Sequence, residues 1–280
     1  MVEVFVKIDG INICYEVIGE GDQVILIHGF GNDKNSWKLA QVGPLSKFFK
    51  LLIFDNRGAG KSDRLDEPYL METFADDLNA LMDVLNIKKA HILGESLGGM
   101  IAQTFTLNYP ERVNKLILIN TTSSFPKNPS GIEIYKNSKV AKYHAIKKDP
   151  VKAFWDHGIS GFSRKFRKVL KENPNKKFYD LYTVEDLIKQ NATNPSTPQD
   201  AENQANALLH FDITNKLDKI KKETLIITAT HDKTLPRALN EKIHEKIPNS
   251  KLIVIERAGH YSPIEKAPEI NEHIIDFLGN

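Results

Sequence analysis

Eight times between Val2 and Glu256 the chain returns to a short apolar run, and most of these runs lead through Gly, Asn or Asp into a helical pattern. The first two, Val2 to Ile8 and Asn12 to Ile18, flank Asp9-Gly10, a dipeptide suited to a tight hairpin, and read as an antiparallel pair. The others run from Gln23 to His28, Phe49 to Asp55, Ala90 to Glu95, Val113 to Asn120, Glu223 to Thr230 and Lys251 to Glu256. Their apolar residues are continuous rather than alternating, which predicts strands covered on both faces and hence a parallel sheet. Helical spacing predicts helices over Ser36 to Phe48, Glu72 to Asn86, Leu97 to Tyr109, Pro236 to Lys246 and Ile264 to Leu278. Strands alternating with helices define an α/β fold, a doubly wound and mostly parallel sheet flanked by helices.

The alternation breaks once. From about Thr122 to His210 there is no strand-like run, and aromatics recur at helical spacings: Phe154, Trp155, Phe162, Phe166, Phe178, Tyr179 and Tyr182. This segment reads as a helical cap inserted after the sixth strand, over residues 122–210. The core is then residues 1–121 and 211–280. A cap lying over the carboxyl ends of the strands covers the edge where ligands bind in such sheets. Some of these aromatics are expected to line a pocket, Trp155 and Phe162 first, and the rest to pack the cap onto the core.

Composition narrows the picture. A formal net charge of +2 gives no bulk attraction for nucleic acid or an anionic membrane. The apolar runs are far shorter than a membrane span, and the first residues lack a secretory pattern, so a cytoplasmic protein is expected. Cys14 is the single cysteine, which excludes an internal disulfide and suits a strand position. Without a secretory pattern the sequons at Asn120 and Asn191 read as chance matches.

The chemistry concentrates at one corner. Gly94-Glu95-Ser96-Leu97-Gly98 follows an apolar strand and opens a helix. Serine between glycines at such a corner is forced into a tight, strained turn that pushes its hydroxyl outward, as a nucleophile requires. A serine nucleophile needs a base, a group to orient that base, and donors for the oxyanion. His260 follows the last strand and Asp232 the one before it, so the order Ser96, Asp232, His260 places all three at carboxyl ends of parallel strands. The other plausible acid position holds Asn120, which carries no charge, and His231 follows the wrong strand to be the base. The backbone N–H groups of Leu97 and of Phe30, in His28-Gly29-Phe30-Gly31, are the expected oxyanion donors, with His28 organising that loop. Tyr261, beside the base, is a further pocket candidate. Gly58-Ala59-Gly60-Lys61-Ser62 ends like a P-loop, but the required first glycine is Asp55 and no helix opens after Ser62; Asp55 and Arg57 are expected to brace this loop as an ion pair.

With these residues in hand, the chain resembles α/β-hydrolase fold enzymes over nearly its whole length. The resemblance rests on His28-Gly29-Phe30-Gly31, Asp55 to Ser62, the Ser96 corner, Asp232 and Gly259-His260. It implies a serine hydrolase that cleaves carboxylic esters through an acyl-enzyme intermediate, a carboxylesterase acting on small or medium substrates and needing no cofactor and no metal. The run Gly98 to Gln103 is similar to the carboxylesterase and enol-lactonase branch. Its partner would be a small-molecule ester or lactone, and homodimerisation is left open. Relatives that use an aspartate nucleophile, the haloalkane dehalogenases and epoxide hydrolases, are disfavoured by Ser96. Two alternatives stay open: a lactonase or carbon–carbon bond hydrolase acting on acidic substrates, and a slow-turnover small-molecule receptor. From Thr121 to His210 the chain carries 15 Lys and Arg against 9 Asp and Glu, which is compatible with an acidic substrate, with Arg164 and Arg167 the first candidates to hold it.

Overall fold

The computed structural model describes residues 3–125 and 129–279; the Val2 end of the first expected strand lies outside them. Eight strands form one sheet: β1 (Val4–Ile8), β2 (Ile11–Ile18), β3 (Asp22–Ile27), β4 (Phe49–Phe54), β5 (Ala90–Glu95), β6 (Val113–Ile119), β7 (Thr224–Ala229) and β8 (Ser250–Ile255). Their order is β1-β2-β4-β3-β5-β6-β7-β8, with β2 antiparallel to β1 and β4 and every later pairing parallel. Asp9 and Gly10 both take positive φ, 41° and 91°, which matches the right-handed twist of the hairpin they close.

The helices are α1 (Val42–Leu45), α2 (Met71–Val84), α3 (Leu97–Asn108), α4 (Pro129–Lys148), α5 (Pro150–Asp156), α6 (Arg164–Glu172), α7 (Val184–Ala192), α8 (Pro198–Leu209), α9 (Arg237–Lys246), α10 (Ser262–Glu265) and α11 (Ala267–Gly279). One face of the sheet is sealed by Phe74, Leu78, Ile101, Phe105 and Ile243 from α2, α3 and α9. The other is sealed by Val42, Leu45, Ile270, Ile274 and Leu278 from α1 and α11. Both faces of β3, β5 and β6 are therefore dry, which is why their sequences do not alternate.

Two expected helices are each divided. Ser36 to Phe48 becomes a 3-10 turn over Lys34–Leu39 followed by α1, because Ala40 leaves helical geometry at φ −141° and Gly43-Pro44 permit only a short restart. Ile264 to Leu278 is split at Lys266, where Pro268 has no N–H to continue the ladder from α10 into α11.

Helices α4 to α8 all lie between β6 and β7 in sequence. An aromatic core of Phe154, Phe162, Phe166, Phe178 and Tyr182 joins α5, α6 and α7 and is closed against the sheet by Ala40 and Ala267, while α4 and α8 pack into the core on the α2–α3 face through Ile132, Ala201 and Leu208. Hydrogen bonds tie them to the loops below: Gln204 Oε1 accepts from Gly31 N and its Nε2 donates to the Gly58 carbonyl. Among the described residues no helix is long and apolar enough to cross a membrane.

Candidate active site

Ser96 stands between β5 and α3 with φ 55° and ψ −120°, a conformation that side-chain-bearing residues rarely hold. The neighbouring glycines are there for space. A Cβ on Gly98 would lie 2.0 Å from the Ile27 carbonyl oxygen, and one on Gly94 would lie 2.2 Å from that of Gly98. Ser96 N–H donates to the Ile119 carbonyl at 3.0 Å and its own carbonyl accepts from Thr121 Oγ1 at 2.7 Å, so the strained turn is held from both sides.

The imidazole of His260 is buried, and its Nδ1–H donates to Asp232 Oδ2 at 2.7 Å. The second carboxylate oxygen, Oδ1, accepts from the backbone N–H groups of Thr234 and Leu235 at 2.8 and 2.9 Å. Asp232 is thus aimed by its own turn, and the tautomer it selects leaves Nε2 as the nitrogen able to take a proton. Ser96 and His260 line one cavity of about 420 Å³, with Gly29, Phe30, Tyr135, Lys139 and Tyr261. Phe30, Ser96 and Leu97 also line an apolar recess with Met100 and Leu235. Leu97 is the first residue of α3, so its N–H has no carbonyl within the helix to bind.

A strained serine, a buried His–Asp pair and a common cavity have now met at the carboxyl edge of a parallel sheet, and the profile of the alpha/beta hydrolase fold matches residues 22–267. The chain belongs to the alpha/beta-hydrolase family. It is 29% identical to a 2-hydroxy-6-oxononadienedioate/2-hydroxy-6-oxononatrienedioate hydrolase of Comamonas testosteroni, over 94% of this chain and 89% of that one. It is 30% identical to 2-hydroxy-6-oxononadienedioate/2-hydroxy-6-oxononatrienedioate hydrolase 1 of Pseudomonas putida, over 98% of this chain and 95% of the other. Among solved structures it resembles a malate-bound thermophilic esterase of Thermogutta terrifontis, with TM-score 0.80, 25% identity and coverage of 99% and 98%. Hydrolase activity follows from the family.

The surroundings of this site hold residues to which the sequence patterns gave no role in it. Asn120, at φ 45°, donates its Nδ2 to the His260 carbonyl at 2.7 Å and to Ser262 Oγ at 2.8 Å. Glu265 accepts from Gly259 N at 3.1 Å, Ser163 N at 2.9 Å and Ser163 Oγ, joining the histidine loop to the segment before α6. Glu95 is buried beside Ser96, and burial pushes its carboxyl up to about 7, against the opposing pull of the His260 imidazole. Lys139 on α4 extends into the Ser96 cavity with its ammonium 5.6 Å from the centre of the Phe30 ring and 5.2 Å from that of Tyr135. Desolvation lowers it to about 8.

Several sequence expectations are placed differently. Phe162 and Tyr261 line a second chamber next to the Ser96 cavity, and Tyr261 borders both. Trp155 is not brought to either: it sits in a separate groove with Arg164, Arg167 and Lys168. Its ring is held there edge-on by Phe154, the residue that takes the inward position. Arg164 and Arg167 lie in the same groove, and Arg167 is spent on the carbonyls of Phe162 and Ser160. The expected Asp55–Arg57 ion pair does not form. Asp55 receives Lys34 N, Lys34 Nζ and Lys61 N, at 2.7, 3.3 and 2.9 Å, while Arg57 turns toward α2 and binds both oxygens of Asp77 at 2.6 Å. His28 accepts from Asn56 N through Nε2 at 3.2 Å, and its Nδ1–H donates to the Gly29 carbonyl at 3.0 Å. Burial lowers its proton affinity, so it knits the two loops together as a neutral ring.

Proposed function

We propose that this hydrolase attacks a carbonyl of an acid-bearing substrate through Ser96, with His260 as base, Asp232 as its orienting group, and the N–H groups of Phe30 and Leu97 as oxyanion donors. The favoured reaction is hydrolysis of the carbon–carbon bond beside an oxo group in a conjugated keto acid. The observation that carries it is Lys139: a cation inside the Ser96 cavity, with no carboxylate of the described residues within ion-pair distance. Desolvating an ammonium without a partner is costly, so a substrate carboxylate beside the reacting carbonyl would offset that cost. Similarity to hydrolases of 2-hydroxy-6-oxo dienedioates supports the same choice.

In this reading Ser96 Oγ bonds to the oxo carbon while its proton passes to His260 Nε2. Negative charge gathers on the former carbonyl oxygen, where the two N–H groups receive it. Collapse breaks the carbon–carbon bond. For the departing pair to delocalise, the substrate reacts as its keto tautomer, the proton of the 2-hydroxyl having moved to the carbon beside the oxo group; the pair then spreads as a dienolate onto the 2-oxygen, which takes the proton from His260. Water, deprotonated by His260, then cleaves the acyl–Ser96 ester and frees the second acid. An ordinary ester follows the same path with an alkoxide leaving in place of carbon. Carboxylesterase action is the second reading, favoured by the apolar recess of Met100, Leu208 and Leu235 beside Ser96 and by similarity to the esterase.

The test compares kcat/KM for a 2-hydroxy-6-oxo dienoate with that for a neutral nitrophenyl ester of similar length. A higher value for the dienoate is expected, with Ser96→Ala reducing either turnover by on the order of a million-fold. A higher value for the neutral ester would replace the first reading with the second.

A further inference from the structure

The amine inside the Ser96 cavity is a nucleophile as well as a charge. Lys139 reaches the cavity by crossing the loop after β3. Its Cδ and Cε lie 3.6 and 3.8 Å from the point where Gly31 would carry a Cβ, and its nitrogen ends 5.6 Å from the centre of the Phe30 ring. Phe30 carries one of the two proposed oxyanion N–H groups, so the amine stands over the place where an acyl carbon on Ser96 would lie. Among the described residues no carboxylate lies within ion-pair distance of Lys139, and its nearest partners are the rings of Phe30 and Tyr135. Desolvation, which lowers it to about 8, leaves part of it as free amine near neutrality. The other amines and phenols nearby are less suited. Burial raises the phenols of Tyr135 and Tyr261, which therefore keep their protons. Lys233 borders the cavity but is exposed, and Lys142, one helical turn beyond Lys139, opens into the second chamber.

We infer that Lys139 is a self-modification site: its amine takes the acyl group from Ser96 and keeps it as an amide. This rests on the acyl–Ser96 ester of the reading above, which forms whether carbon or an alkoxide leaves. Lys139 first gives one proton to solvent. The nitrogen then bonds to the acyl carbon, and negative charge gathers on the oxygen facing the Phe30 and Leu97 N–H groups. The surplus N–H proton passes to His260 Nε2 and on to Ser96 Oγ as the bond from that oxygen to the acyl carbon breaks. An amide on Lys139 and a free serine remain. An amine fixed in the cavity competes with water as though it were highly concentrated. A carboxylate on the acyl group holds Lys139 as an ammonium, which has no electron pair to give, so neutral acyl groups are the ones transferred. The amide carries no charge, so transfer removes the cation that favours acid-bearing substrates.

The experiment follows the acyl group by peptide mass spectrometry. Wild type, Ser96→Ala, His260→Gln and Lys139→Arg are held with 4-nitrophenyl acetate at pH 8 until wild type has turned over many times. Hydroxylamine then strips serine esters and leaves amides. Wild type should carry an acetyl amide on Lys139, at a level at least about tenfold above Ser96→Ala. His260→Gln, which also prevents acylation of Ser96, should match Ser96→Ala, and circular dichroism checks that both variants fold. Lys139→Arg, whose guanidinium does not lose its proton, should carry none. The hydrogen succinate ester of nitrophenol should label Lys139 about tenfold less than the acetate, and equal labelling would overturn the protection by an acyl carboxylate. No amide in wild type, equal labelling in folded Ser96→Ala, or labelling of Lys142 or Lys233 in place of Lys139 would overturn the transfer. The proposals fail separately. Nitrophenolate release that needs Ser96 but leaves Lys139 unmodified sinks the transfer alone; release untouched by Ser96→Ala sinks the Ser96 mechanism and the transfer with it. The carbon–carbon reading is judged on dienoates, which this assay does not contain.

Discussion

Asn120 Nδ2 lies 2.7 Å from the backbone carbonyl of His260, so the residue ending β6 holds the loop that carries the imidazole. The amide is fully buried and its second hydrogen bond goes to Ser262 Oγ. Asn120→Ala would leave two buried acceptors short of a donor, at a cost of about 1–3 kcal/mol. Loosening the imidazole should lower kcat by more than it raises KM, because the loop position matters most as the proton moves. Denaturant unfolding and steady-state kinetics on one preparation check both. Unchanged kcat with lowered stability would reduce Asn120 to a structural brace.

Asp232→Asn keeps the shape of the side chain and changes what it can do for His260. The amide can present an N–H to Nδ1, which selects the tautomer with its proton on Nε2, the wrong nitrogen for taking one from Ser96. A loss in kcat of about 10⁴-fold is expected, the size measured for this substitution in serine proteases, with KM little altered. Calorimetric unfolding should show a folded protein, since the Thr234 and Leu235 N–H groups still find the amide oxygen.

How much of this was legible in the sequence divides along physical lines. Strands β3 to β7 could be read because each is covered on both sides, so burial wrote itself as continuous apolar runs, and β1 and β2 because Asp9-Gly10 marks the hairpin between them. The Ser96 corner was legible because its glycines answer contacts within a few residues of themselves or with the adjoining strand. The lysines of α4 were not. The helix carries Lys136, Lys139, Lys142, Lys147 and Lys148, and only three-dimensional packing separates the two that face cavities from Lys136, which pairs with Glu133 and Glu202. Asp55 and Arg57 misled for a related reason: proximity in sequence suggested a pair, but their true partners, Lys34 and Asp77, lie 21 and 20 positions away. The split of the first expected helix was readable from Gly43-Pro44, since proline shortens what apolar spacing alone extends.

Glu265 joins the histidine loop to the segment before α6 through three donors, Gly259 N, Ser163 N and Ser163 Oγ. Glu265→Ala removes all three at once from a buried place, and should cost about 2–4 kcal/mol. The effect should be uneven across the molecule. Hydrogen exchange should quicken in residues 158–166 and 258–262, where the bonds were, while β5 and β6 stay protected. Uniform acceleration throughout the chain would mean that Glu265 contributes to global stability without coupling the two segments.

Glu95 makes stability depend on pH in a direction that can be worked out in advance. Its carboxyl titrates at about 7 in the folded protein against 4.5 for the unperturbed group, because burial disfavours the charged form. Below 4.5 both folded and unfolded states hold the proton, so the group contributes nothing to the pH dependence there. Between 4.5 and about 7 the unfolded chain releases it and the folded chain does not, so stability must fall as pH rises through that window. The loss amounts to at most about 3 kcal/mol and is complete once the folded carboxyl also ionises. Glu95→Gln has no proton to lose, so the stability difference, variant minus wild type, should grow between about pH 5 and about pH 8. Urea unfolding of both proteins at those two values measures it, and taking the difference cancels the titration of every group the two share. A difference that stays level would mean that Glu95 is already ionised at the lower pH, held charged by the His260 imidazole despite its burial.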